Sequence, residues 1–147
     1  MLIRQNYYVE KRNKIKKRLL KMLENLVEMT DHYISYMDNP SIENKEFILK
    51  AENYVDQNER KIEEHILEAI SLQQLNLHEI KWLLGMNRII RELERFGDQI
   101  TNIVTISNAH DVCVLKPMIL PFLDFERAMI DWLIEGIREE DADALKM

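Results

Sequence analysis

The sequence predicts an all-α fold: an elongated antiparallel three-helix bundle carrying a fourth, C-terminal helix. Three observations lead there. The 147 residues include only three Gly and three Pro, against 46% hydrophobic and 31% charged residues, a balance that suits long helices and leaves a sheet short of turns. Apolar residues recur at spacings of three and four along most of the chain, which is the period of one helix face. The interruptions are only a few residues long, so consecutive helices reverse direction and pack as neighbours. At this length one core is the expectation. Residues 1–147 therefore read as a single domain, with a three-helix unit over 1–110 and an additional helix over 115–140.

The first helix is expected from about Val9 to Met37, with Ile15, Leu19, Met22, Leu26, Met29, Tyr33 and Met37 forming one apolar stripe. Asp38-Asn39-Pro40-Ser41 stops it. Proline removes a donor and biases its predecessor away from helix, while Ser41 can cap the next helix, with Glu43 and Glu46 in its opening turns. That second helix is expected from Ile42 to about Leu72, burying Ala51, Val55, Ile62, Ile66 and Ala69, with its stripe broken at Asn58. The third runs from near Asn76 to about Asn108 through Leu83, Met86, Ile90, Leu93, Gly97, Ile100 and Val104. Gly97 suits a place where another helix passes closely. Helices of about 30 residues would each span about 45 Å. After a break from Asn108 to Pro117, the fourth helix is expected to reach Glu140, burying Met118, Phe122, Met129, Leu133 and Ile137, with Pro121 in or near its first turn.

The single cysteine, Cys113, rules out an internal disulfide, and the absence of a zinc-spaced Cys/His cluster points to a reducing, cytoplasmic setting. Beside Val112 and Val114 it reads as a small packed hydrophobe. No segment approaches the roughly 18 uninterrupted apolar residues of a membrane span. A net charge of −6 argues against nucleic acid as a partner, because phosphate backbones demand a basic face. Between Arg4 and Lys21, however, eight Lys or Arg stand against one acid, Glu10. Such a run is more often a solvated helix face than a patch for acidic lipid headgroups, which would bring the protein to a membrane periphery.

The chain offers little for catalysis. It has no Gly-x-Ser-x-Gly, no phosphate-cradling glycine loop and no cysteine with a positioned helper, so an enzyme is not expected. A ferritin-like di-iron bundle needs Glu-x-x-His motifs. The residues three before His32, His65, His78 and His110 are Met29, Ile62, Leu75 and Ser107. The histidines therefore read as ordinary surface or boundary residues.

Two carboxylate series remain: Glu52, Asp56 and Glu59 on the second helix, and Glu94 with Asp98 on the third. Residues four apart share a helix face, and oxygen donors on two adjacent helices are what a multivalent cation uses. On spacing alone, solvated acids paired with Arg60, Lys61, Arg91 and Arg95 explain the pattern as well.

From Ala51 to Ile106, residue order carries more information. Glu52-x-x-x-Asp56-x-x-Glu59-x-x-Ile62-Glu63 is followed by Ile70-Ser71-Leu72-Gln73-Gln74, then by Leu93-Glu94-Arg95-Phe96-Gly97-Asp98 and Asn102-Ile103. This resembles the PhoU family of phosphate-uptake regulators. Repeats of that family carry an acidic second helix, a short Gln-Pro turn, and a third helix marked Leu-Glu-Arg-Ile-Gly-Asp and Asn-Ile. Here Gln74-Leu75 stands at the turn, and Glu79-Ile80-Lys81 stands where the family shows Asp-Leu-Arg. The resemblance covers over a third of the chain. It implies a PhoU-like bundle, and it casts the fourth helix as the first helix of a second repeat.

It also implies a non-catalytic regulator that contacts subunits of a phosphate ABC transporter, a sensor kinase, or both. The acids Glu52, Asp56, Glu59, Glu94 and Asp98 would be the metal-binding positions, with iron or zinc as the metal. The alternatives are a helical adaptor or scaffold, and the cytoplasmic PhoU-like domain of a sodium-phosphate cotransporter. A fourth helix without its repeat partners must fold back on its own bundle or dock on another copy. Phe122, Phe125, Met129, Trp132 and Leu133 would otherwise form an exposed patch, so a homodimer is expected.

Overall fold

The structure is a computed structural model that describes the backbone of residues 2–71, 75–106 and 109–146, and side chains within 7–71, 75–105 and 114–140. Four helices account for nearly all of it: α1 (Leu2–Asp38), α2 (Ile42–Ile70), α3 (Leu77–Ile106) and α4 (Ala109–Lys146). No strand occurs among the described residues, and no described helix is long and apolar enough to cross a membrane.

The stripe of α1 is buried as expected, with Ile15, Leu19, Met22, Leu26, Met29, Tyr33 and Met37 almost fully enclosed. The helix starts earlier than Val9, and the basic run is part of it. That run is not simply a solvated face. Lys11 and Lys16 are buried. Lys11 pairs with Glu68, and Arg12 and Lys16 pair with Glu140. The Arg12 guanidinium also lies 5.2 Å from the centroid of the Trp82 ring. Three of the eight cations of the run thus answer acids on other helices, which weakens the lipid-headgroup reading.

Ser41 caps α2 by accepting a hydrogen bond from the Asn44 amide at 3.1 Å. The helix ends at Ile70, two residues short of the expected Leu72; Leu72 lies outside the described residues, as does Gln74 in the turn. Asn58 interrupts the stripe yet is buried, its Oδ1 accepting from Arg18 Nη1 at 3.4 Å. α3 opens with a reciprocal cap. The Glu79 amide donates to Asn76 Oδ1 at 2.8 Å, and the Asn76 amide donates to Glu79 Oε1 at 3.0 Å, which satisfies two otherwise orphaned donors.

α4 departs most from expectation. It begins at Ala109, not after Pro117, so both Pro117 and Pro121 lie inside it, beyond the first turn. The buried side of α4 is Leu123, Ile130 and Ile137, not the stripe through Met118, Phe122 and Met129. Of the expected set only Ile137 is buried; Met118, Phe122 and Met129 are exposed. α4 folds back along α1, which packs against all three other helices. Ion pairs run along the α1–α4 seam in antiparallel order: Asp38 to Lys116, Asp31 to Arg127, and Glu24 to Arg138 at 3.6 Å. The side chains of His110 and Cys113 lie outside the described residues.

Candidate functional site

The acids occupy a shoulder of the bundle for a simple geometric reason. On α2, Glu52, Asp56, Glu59 and Glu63 directly follow the buried residues Ala51, Val55, Asn58 and Ile62. On α3, Glu94 and Asp98 directly follow the buried Leu93 and Gly97. One residue is about 100° around a helix, so each series lies beside its helix's core stripe at the same phase. In an antiparallel pair, flanks of equal phase fall on the same side of the interface. The two series therefore meet along one strip, where all five predicted residues are half-buried.

Asp56, Glu59 and Glu94 each offer a carboxylate oxygen, and the three oxygens lie within 4.8 Å of one another. Glu52 on α2 and Glu94 on α3 both sit within hydrogen-bonding reach of Asp98, so a proton on any of the three can be shared there. Burial, then the hydrogen bond and negative charge of Asp98, push Glu52 and Glu94 up to about 7. Glu59 is raised as well, by burial and then by the charges of Asp56 and Glu63.

The cations expected to neutralise the strip mostly serve other acids. Arg60 pairs with Asp56 at 3.2 Å, but Lys61 pairs with Glu64 and Arg95 with Glu92. Arg91 acts on Glu59 only through its field. Among the described residues no ion pair reaches Glu52, Glu59, Glu94 or Asp98. The strip is thus a crowded, partly desolvated set of carboxylates with a deficit of positive charge, and such a set favours a proton or a bound cation. Its donors are all oxygen, which suits a hard ion such as ferric iron better than zinc, whose protein sites are usually built with Cys or His.

Two neighbours lie outside the candidate set: Thr101, which sequence reasoning missed, and Glu63, which stands in the motif without a role. Thr101 is buried, and its hydroxyl lies within reach of both Glu52 and the Gly97 carbonyl, the latter at 3.1 Å. Glu63 extends the acidic field beyond Glu59. Both sit on the strip's own spacing, Thr101 three residues after Asp98 and Glu63 four after Glu59, so the pattern that found the five acids also points to them. His65 lies away from the strip, with Nδ1 at 3.4 Å from Lys11 Nζ, and His32 stacks on Phe47 at 3.5 Å between centroids.

A model of the PhoU domain matches residues 19–107, a span that includes every residue of the strip and excludes α4. The phosphate-specific transport system accessory protein PhoU homolog of Aquifex aeolicus (strain VF5) is 27% identical over 88 residues, covering 60% of this chain and 40% of that protein. The chain thus spans well under half the length of the curated relative it matches. No solved structure matches.

Proposed function

The chain belongs to the PhoU domain family, and from that premise we propose that it is a non-catalytic cytoplasmic regulator of phosphate uptake, acting by contact with phosphate-transporter subunits or a sensor kinase. The observation that carries the reading is the carboxylate strip inside the family-matched span. Asp56, Glu59 and Glu94 converge from two helices with too little cationic charge to balance them. Those three would hold a hard cation, iron in preference to zinc, with Glu52 and Asp98 flanking them. The cation supplies positive charge that ties α2 to α3 and stiffens the face a partner meets. The name of the Aquifex relative supports the phosphate-transport assignment, and the unpartnered apolar side of α4 supports a working unit of two copies.

Two measurements test this reading. Elemental analysis of protein purified without chelator should find metal in the parent and little in a Glu94→Ala/Asp98→Ala variant, whereas equal content in both would remove these ligands. A pull-down from phosphate-replete cells should recover transporter or kinase subunits. Recovery of an unrelated client alone would replace the regulator with an adaptor.

A further inference from the structure

Among the described residues α4 is the least firmly anchored helix. Of its described side chains only Leu123, Ile130 and Ile137 are buried, one every seven residues, whereas α2 buries seven residues over a shorter span. The packing around it is open. A groove of about 630 Å³ runs between α4 and α3, where the Phe96 and Phe122 rings stand 6.4 Å apart. Hollows of about 260 and 160 Å³ lie under its first and second halves. The family-matched span ends at residue 107, so α4 is an addition to the recurrent three-helix unit. Few buried apolar contacts mark the segments of a protein that open locally before the rest.

Charge supplies most of the remaining attachment. Lys116 pairs with Asp38, Arg127 with Asp31, and Arg138 with Glu24 at 3.6 Å. All three pairs are partly exposed, so each contributes little and salt screens it. The far end is held differently. Glu140 meets both Arg12 and Lys16, the latter at 3.1 Å, and Lys16 is buried. Burial alone would raise the Glu140 carboxyl, yet hydrogen bonds from Lys16 and Arg12 hold it below the ordinary carboxylate value. At the near end the helix contains its own weak point. Pro117 and Pro121 lie inside it and lack the amides that would bond the Cys113 and Pro117 carbonyls four residues earlier. Those carbonyls lie one turn apart on one side of the helix, and a helix that loses neighbouring hydrogen bonds on one side bends there.

We propose that α4 beyond Pro121 is a strap, hinged at Pro117 and Pro121 and latched by Glu140 on Arg12 and Lys16, which opens while α1, α2 and α3 stay folded. Opening uncovers Leu19, Leu23 and Tyr33 of α1 with Met86, Ile89 and Ile103 of α3, side chains that line the two hollows beneath it. The strap thus gives the protein an apolar surface between α1 and α3 that is shut at rest and presented only when the latch is released. Neither the cation of the acid strip nor the phosphate-uptake role is needed for this opening.

Amide hydrogen exchange of the full chain, followed by mass spectrometry, reads the opening directly. Residues 122–140 should exchange at least about tenfold faster than the buried stretches of α1, α2 and α3, and faster still as salt is raised. Glu140→Gln should speed exchange of 122–140 by about a further tenfold, the scale of one lost charge-assisted hydrogen bond, with the other helices and the circular dichroism unchanged. Asp31→Arg should act in the same direction, and adding Arg127→Asp should reverse it. In a Cys113→Ser background, a short bis-maleimide link between Glu24→Cys and Arg138→Cys should slow exchange of 122–140 and remove its salt dependence. Residues 122–140 exchanging in step with the other three helices at every salt concentration, indifference to Glu140→Gln, or loss of protection in all four helices together in that variant would overturn the proposal.

Discussion

Glu52 and Glu94 show how much one residue's surroundings can decide. Their pKa values rise to about 7 because burial, then Asp98, penalises their charged forms. The unfolded chain ionises them near the ordinary carboxylate value, so the folded state holds their protons more tightly. Folding stability from this pair is therefore full at pH values below the ordinary one, falls as pH rises toward 7, and stays low above it. In metal-free protein, Glu94→Gln should raise the melting temperature at pH 8 by about 2–4 °C, the scale of about 1 kcal/mol in a domain of this size, and flatten the melting profile between pH 5 and 8. An unchanged profile would mean that Glu94 carries no such penalty. Gly97 gives a second residue-level test. A Cβ there would meet Leu26, Val55 and Met29 at 3.5–3.9 Å, ordinary contact and not a clash. Gly97→Ala should then stabilise by up to about 1 kcal/mol through helix propensity, as read by chemical denaturation.

At the scale of elements, α1, α2 and α3 were legible because each has a single apolar stripe backed by charge. The cap at Ser41 marked the start of α2, and α3 starts one residue after the expected Asn76, whose own capping role the sequence reading did not name. The acid strip was legible for the same reason, since Glu52, Asp56, Glu94 and Asp98 inherit their placement from the core residues beside them. α4 was not. Its apolar residues surround much of its circumference, so periodicity alone offers two phases, and Pro117 with Pro121 argued for a later start. What selects the phase is tertiary: Arg127 meets Asp31 and Lys116 meets Asp38, which turns Leu123 and Ile130 inward. The fates of the basic run were equally invisible, because the acids that absorb it, Glu68 and Glu140, lie more than fifty residues away in sequence. Ile130→Ala should cost about 2–5 kcal/mol in chemical denaturation, whereas Phe125→Ala should change monomer stability by less than about 0.5 kcal/mol. The reverse order would mean that α4 turns its other side to the core.

The whole molecule presents two distinct faces: a carboxylate strip between α2 and α3, and an exposed apolar side of α4. α1 packs against every other helix, so both faces are built on the same central element. Chelator at pH 8 should lower the melting temperature of the parent and leave Glu94→Ala/Asp98→Ala unmoved, as the proposed cation requires. The most direct test of the central claim is an anomalous-scattering map from crystals grown with iron. The expected result is a peak between α2 and α3, among the carboxylate oxygens of Asp56, Glu59 and Glu94. A map with no density between those three side chains, or with iron bound elsewhere on the molecule, would contradict it.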